Sequence, residues 1–307
     1  MSKIIRNSFP DLAWLKDQVA HRFQTNEGWP NVILHVKSSG CYRPDIKGGL
    51  TLFMNRKGTS LCKVENQTQK IPEDCFFLSN PDQRYTLTIE PTAPAETFNI
   101  HFGQKFIAEV YQGLVLPDIA LLDNPVAEQT SAINFYNKLY PKEAIVESLL
   151  HQLYQCSQEN ADNLQVEELL AQILGYLLKV HQQVNAQIAQ MPAVKSATKQ
   201  EAFRRLSLSV DYLNSFCDRE VSLDELAGIA CLSKFHYLRL FQNCFKQSPY
   251  QYLTQLRLEK AKRLLRKPDM PIGEVAEKVG FANFSSFCRA FYKKEKMSAT
   301  DYRTHLS

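Results

Sequence analysis

Two arginines, Arg239 and Arg289, stand 50 residues apart in equivalent places of a repeated sequence pattern. A guanidinium can donate two hydrogen bonds at once to O6 and N7 of a guanine in the major groove of DNA. Asn283 and Ser285, which shortly precede Arg289, can hydrogen bond other base edges. These residue types indicate that two similar elements of the protein contact the base edges of DNA.

The pattern around the arginines occurs twice between Val221 and Arg303, and each copy predicts a helix, a turn and a second helix. Ala227 and Ala276 are 49 residues apart while the arginines are 50 apart, so one extra residue enters the second turn. Apolar residues at helical spacing predict an inward face in each helix. The predicted helix–turn–helix segments are residues 223–244 and 272–294.

The outward face of each second helix carries the candidate DNA-binding residues. Polar residues on a helix face are by default an ordinary solvated surface, but the double repeat favours a functional interpretation. The two phenylalanines could contact a thymine methyl group, and burial in the core is an equal alternative for them. The predicted set is Lys234, Phe235, His236, Leu238, Arg239, Asn283, Phe284, Ser285, Arg289 and Lys293. A further set is interpreted either as phosphate contacts or as plain solubility charges: Lys246, Arg257, Lys260, Lys262, Arg263 and Lys294.

Patterns that would indicate catalysis or metal binding do not occur in the sequence. It contains no His-x-His pair, no Gly-x-Ser-x-Gly elbow and no Cys-x-x-Cys pair. His35 and His101 stand alone in separate predicted strands and are interpreted as structural or surface histidines. The eight scattered cysteines predict mostly buried thiols in a reducing cytosol. We therefore expect no enzyme, no metal and no cofactor, and a cytoplasmic location.

Length and charge predict two domains of different character. A chain of 307 residues can form two cores. Residues 203–307 carry a net charge of +7 and residues 1–202 a net charge of −3, which favours a polyanion partner for the second half. Neither a signal peptide nor a membrane span is predicted. The predicted domains are 1–190, then 191–202 as linker, and 203–307 for DNA binding.

The first domain is predicted to combine short strands with helices. A helix is expected over Pro10–Phe23, and four helical stripes are expected within residues 103–190, the second of them over Ile133–Tyr140. Many short strands separated by turn signals indicate a sandwich or small barrel. The predicted strands are Val32–Val36, Leu50–Met54, Ser60–Glu65, Cys75–Leu78, Arg84–Ile89 and Thr97–Phe102.

Many ordered positions of the second domain together form a specific pattern: Ser222-Leu223, Leu226-Ala227, Leu232-Ser233, Leu238–Phe241, Ser248-Pro249, Tyr252-Leu253, Arg257-Leu258, Ala261, Leu264-Leu265, Ile272, Val275-Ala276, Val279–Phe281, Phe287, Arg289, Phe291 and Tyr302-Arg303. In these residues the second domain resembles the AraC/XylS transcription regulators over about 100 residues. The resemblance implies ligand sensing and dimerisation by residues 1–190, through a cupin-like barrel that binds an effector, a homodimer, and contact with RNA polymerase. Cys231 stands where that family usually has Gly, and Glu295-Lys296 and Ala299 also depart from its pattern.

The expected fold is α+β: an N-terminal β-barrel or sandwich with a helical dimerisation segment, then an all-α domain with two helix–turn–helix motifs. The expected function is sequence-specific transcription regulation on double-stranded DNA in response to a small-molecule effector, whose binding residues stay unknown. Two alternatives remain open: a constitutive DNA binder whose barrel is only a dimerisation scaffold, and a metal-free barrel enzyme fused to a DNA-binding unit. Polar groups facing a barrel cavity would favour sensing.

Overall fold

The computed structural model describes residues 4–15, 17, 29–115, 133–159, 161–191 and 196–306. The chain divides into two compact units, Met1–Asn185 and Ala186–Ser307. Among the described residues, none of the helices combines the length and the apolarity that crossing a bilayer would require.

Ten strands in the described part of the first unit form two sheets. One sheet has the order β1-β2-β9-β4-β7-β10 and the other the order β3-β8-β5-β6. Neighbouring strands are antiparallel except for the parallel pair β1 and β2. The strands are β1 Ile5–Arg6, β2 Val32–Ser38, β3 Cys41–Lys47, β4 Leu50–Lys57, β5 Ser60–Val64, β6 Gln67–Ile71, β7 Cys75–Ser79, β8 Arg84–Ile89, β9 Ala95–Phe102 and β10 Leu139–Pro141.

Strand β9 is buried on both of its faces. The helices of this unit are α1 Gln104–Val115, α2 Ala144–Glu159 and α3 Asn163–Ala189. One face of β9 carries Phe98, whose ring lies 5.9 Å from the ring of Tyr154 in α2. Because successive side chains of a strand alternate between its faces, Asn99 and His101 lie on the other face, which borders a cavity between the sheets.

All six predicted strands are present, but β1, β3, β6 and β10 were not predicted. The pairing of β3 with β8 shifts register between Arg43 and Ile46, and Asp45 has a φ of 53°, so β3 lacks regular alternation. The helix predicted over Ile133–Tyr140 is wrong. Residues 139–141 instead form β10, which extends the sheet beside β7, and Tyr140 stacks on Phe76 with ring centroids 5.3 Å apart. Residues 12–15 are helical, and most of the predicted Pro10–Phe23 helix lies outside the described residues.

The second unit is helical and contains both predicted helix–turn–helix motifs. Its helices are α4 Ser196–Phe216, α5 Leu223–Ile229, α6 Lys234–Phe245, α7 Pro249–Leu265, α8 Ile272–Lys278, α9 Phe284–Glu295 and α10 Ala299–Leu306. Val275 and Ala276 of α8 pack with Phe287 and Phe291 of α9 in one buried cluster. Residues 196–202, which were predicted as linker, lie in α4, while the predicted domain boundaries themselves stay a prediction.

Candidate nucleic-acid interface and barrel cavity

Two serine caps set the geometry of the first helix–turn–helix motif, which is α5 and α6. The Oγ of Ser222 accepts a hydrogen bond from the backbone N–H of Glu225 at 3.1 Å, and the Oγ of Ser233 accepts one from the N–H of His236 at 3.4 Å. Such caps satisfy N–H groups that have no partner inside the helix. On the inner side, the hydroxyl of the fully buried Tyr237 lies 3.1 Å from Ser209 Oγ of α4. The outer face of α6 is thereby held toward solvent.

The predicted residues of α6 share that exposed face: Lys234, Phe235, His236, Leu238 and Arg239 are all exposed. Phe235 is 79% exposed, so it lies outside the core. The Lys234 Nζ pairs with Asp224 Oδ1 at 2.6 Å, across the turn of the motif. Arg239 has no hydrogen-bond or ion-pair partner within the described part of the chain. The face therefore combines cations with exposed apolar groups.

The second motif, α8 and α9, is capped by Asn283. Its Oδ1 accepts a hydrogen bond from the backbone N–H of Ser286 at 2.8 Å, so the amide NH₂ is the part of this side chain that remains for another partner. Asn283 and Ser233 are both N-caps and stand 50 residues apart, which makes Phe284 the equivalent of Lys234.

The predicted residues of α9 are exposed as well: Phe284, Ser285, Arg289 and Lys293. Phe284 is 51% exposed, although its ring lies 6.3 Å from that of the buried Phe287. Arg289 is 3.5 Å from Ser286 Oγ, the far limit of a hydrogen bond, so its guanidinium is held only weakly. Each motif therefore presents an arginine from the same helical position.

The turns of the two motifs both use a left-handed backbone. Gly280 has a φ of 88°, and Cys231, at the equivalent place, has a φ of 51°. A Cβ at position 280 would lie 2.7 Å from the carbonyl oxygen of Cys217, so only glycine fits there. Cys231 is exposed, which makes it an exception to the expected burial of the thiols, since Cys62, Cys75, Cys156, Cys217 and Cys244 are buried.

Arg257 of α7 ties the two motifs together. Its Nε donates to the carbonyl oxygen of Cys217 at 2.8 Å and its NH2 donates to that of Arg219 at 2.8 Å. The guanidinium also lies 5.7 Å from the ring centroid of Phe281, in the second turn. Arg257 is thus a structural residue rather than a phosphate contact or a solubility charge, and its pKa is lowered by burial.

A cavity of about 270 Å³ lies between the two sheets of the first unit. Its walls are mostly apolar and include Leu34, Ile46, Phe53 and Leu87. Polar side chains also reach it, and none of the described lining residues is acidic. They include Arg43, Asn99 and His101. The sequence did not point to Arg43 or Asn99, and His101 was interpreted only as a structural or surface histidine.

The two strand histidines have different surroundings. His35 Nε2 lies 2.9 Å from Glu96 Oε1, whereas His101 Nδ1 lies 3.0 Å from Thr51 Oγ1 and its Nε2 is buried without a partner among the described residues. Burial lowers the pKa of His101 to about 4, so its ring is neutral near pH 7. Across the described ranges, no group of three or more His, Cys, Asp or Glu residues could hold a metal ion.

Comparison with protein families assigns a class to each unit. Residues 42–174 match the family described as AraC-like ligand binding domain, and residues 226–305 match the family described as helix-turn-helix domain. The chain is therefore a DNA-binding transcription regulator with an N-terminal ligand-binding domain. It belongs to the AraC family.

Similar proteins cover different shares of the chain. An AraC-like transcription regulator of Streptomyces antibioticus is 25% identical over 81% of this chain and 85% of its own length. The transcriptional regulator LumQ of Photobacterium leiognathi is 25% identical over 58% of this chain and 68% of its own. Others match in part only: the regulator YobQ of Bacillus subtilis is 35% identical over 32% of this chain and 41% of its own. Among solved structures, ToxT of Vibrio cholerae is 14% identical over 91% of this chain and all of its own, with a TM-score of 0.36.

Proposed function

We propose that this chain reads an operator through both helix–turn–helix motifs, with Arg239 and Arg289 donating to base edges. One observation carries the proposal: the two arginines are exposed at equivalent positions of two capped helices, and neither has a carboxylate partner among the described residues. Two such helices would enter successive major-groove faces about 34 Å apart on one side of the duplex.

The neighbouring residues would complete the interface. Exposed Phe235 and Leu238 offer apolar contacts to a thymine methyl, and Ser285 and the amide NH₂ of Asn283 can hydrogen bond base edges. The remaining candidates are Lys234 and His236 on α6 and Phe284 and Lys293 on α9, with Lys293 as a phosphate contact.

Effector sensing rather than constitutive binding is supported by the cavity, because a scaffold would pack its interior with apolar side chains. Two polar residues, Asn99 and His101, line a space large enough for a small molecule. We further propose that the regulator is a cytoplasmic homodimer, that it contacts RNA polymerase, and that it catalyses no reaction.

Selection from randomised duplex DNA by the full chain would test operator reading. The expected result is a motif with two base blocks spaced by about one helical turn, 10–10.5 base pairs. The double variant Arg239→Ala/Arg289→Ala should recover no motif while keeping salt-sensitive binding to any DNA. Recovery of the same motif by the double variant would contradict base reading by these arginines. Sedimentation of the full chain, with and without DNA, would separately test the dimer.

A further inference from the structure

The contacts of Thr51 identify Nε2 of His101, a residue that lines the cavity, as a hydrogen-bond acceptor. Thr51 has a single hydroxyl hydrogen, and its Oγ1 donates to the carbonyl oxygen of Gly49 at 3.1 Å. The Nδ1 of His101 lies 3.0 Å from the same Oγ1, so this second contact is a hydrogen bond only if His101 donates it. In a neutral imidazole with hydrogen on Nδ1, the Nε2 carries a lone pair and accepts.

The acceptor is buried and unused. His101 is 7% exposed, and its Nε2 has no partner among the described residues. Buried polar atoms are nearly always hydrogen bonded, because leaving one unpaired is costly. Since burial also keeps the imidazole neutral by lowering its pKa to about 4, an occupant of the cavity would have to supply a hydrogen to Nε2.

A donor lies beside this acceptor. The ring of Trp29 stacks on that of His101 with centroids 6.5 Å apart, and both residues line the cavity. The indole Nε1, which can only donate, is also buried and without a partner among the described residues. The residues that line the cavity therefore include one buried acceptor and one buried donor, on two stacked rings, in surroundings that are otherwise mostly apolar.

We propose, resting on the effector-sensing function above, that the effector is a largely apolar molecule with an uncharged hydroxyl or amide group. That group donates to His101 Nε2 and accepts from Trp29 Nε1. A carboxylate has no hydrogen for Nε2. Two cations line the cavity, Arg6 and Arg43, and both are already engaged. Arg43 donates to the carbonyl of Pro10 at 2.8 Å and lies 5.2 Å from the ring centroid of Phe9, and the guanidinium of Arg6 lies 5.5 Å from the ring centroid of Trp14.

Four matched probes test the proposal on the full chain: 4-butylphenol, 4-butylanisole, butylbenzene and 4-butylbenzoate. The phenol donates and accepts, the anisole only accepts, butylbenzene does neither, and the benzoate is an anion. The chain has two tryptophans, Trp14 and Trp29, and both line the cavity, so their fluorescence reports directly on its occupation. The phenol should bind roughly tenfold or more tightly than each of the other three, since only it satisfies both nitrogens.

Substitutions locate the contact. His101→Phe keeps a ring but removes the acceptor, and should abolish the preference for the phenol over the anisole. His101→Gln places an amide oxygen near the Nε2 position and should restore part of that preference. The control His35→Gln changes the other buried strand histidine, which does not line the cavity, and should leave all four affinities unchanged.

The outcomes separate two kinds of failure. Equal or tighter binding of the benzoate or the anisole, or an unchanged preference in a folded His101→Phe, overturns the inference and leaves effector sensing standing. If none of the four probes changes the fluorescence or the melting temperature of the wild-type chain, the cavity is no small-molecule site, and effector sensing falls with the inference. Selective binding of the phenol that disappears in His101→Phe and returns in His101→Gln supports both.

Discussion

Replacing Arg239 or Arg289 by alanine should impair DNA reading without unfolding the protein. Both side chains are exposed, and neither makes an ion pair with a described residue, so each substitution should change the free energy of unfolding by less than about 0.5 kcal/mol. Each lost guanine contact should cost about 1–3 kcal/mol of binding free energy at the selected site. That range corresponds to a roughly 5- to 150-fold weaker affinity.

The assay is equilibrium binding at one fixed salt concentration to duplexes that each differ from the selected site by one base pair. Each arginine variant should lose its preference at one base pair and keep the others. Arg266→Ala is the matched control, because Arg266 is exposed at the C-cap of α7, outside α6 and α9. Arg257→Ala is the structural contrast: it should lower the free energy of unfolding, since the carbonyls of Cys217 and Arg219 would lose their donor.

Two results would refute this reasoning in different ways. If neither arginine variant alters base preference, the helices do not read bases through these residues. If Arg239→Ala alters it and Arg289→Ala leaves both affinity and preference untouched, the second motif only braces the first.

Further predictions concern the turns, the phosphate contact and the buried histidine. Gly280→Ala should lower the free energy of unfolding by about 3 kcal/mol, from the left-handed φ and the close backbone, whereas Cys231→Gly should raise it by about 0.5 kcal/mol; urea titration measures both. Lys293→Ala should weaken binding to all DNA sequences similarly and lower the salt slope by about one unit, which titration at several salt concentrations would reveal. Because the folded pKa of His101 is about 4, below its ordinary value, the unfolded chain binds more protons between about pH 4 and 6.5. The free energy of unfolding should therefore fall by about 1.4 kcal/mol for each pH unit by which the solution is acidified across that window, and this component of the slope should vanish in His101→Gln.

The helix–turn–helix motifs could be predicted because their determinants are local. Ser222 and Ser233 cap helices three residues before the N–H groups that they bind, and Gly280 marks a left-handed turn by its residue type alone. The role of Arg257 could not be predicted in this way. Its partners stand 38 and 40 residues earlier in the chain, and an arginine on a helix has the same sequence signature whether it faces phosphate or carbonyl groups.

The cavity residues were missed because alternation in a strand is ambiguous about which face meets water. In β9, Asn99 and His101 alternate with Phe98 and Ile100, which is typical of a strand with one polar face in solvent. Here α2 covers the apolar face, and the polar face borders the cavity. Strand β9 is buried on both faces, so its polar face has no contact with solvent. Such a face must instead contact a bound molecule or another polar group, and the alternation of polar and apolar residues was the signal for it.

Helices α6 and α9 can read one site only if their spacing is held constant, and residues 217–219 supply a physical reason why it should be. This segment leads from α4 toward the first motif, and two of its carbonyls accept hydrogen bonds from Arg257 of the joining helix α7. The backbone of Gly280, in the turn of the second motif, packs against the same segment, closely enough to exclude a Cβ. The backbone of residues 217–219 therefore contacts both α7 and the turn of the second motif, and it leads directly into the first motif. Movement of either motif would break charge-assisted hydrogen bonds or open this contact, so the pair should recognise two base blocks at one fixed spacing and bind poorly when a base pair is inserted between them.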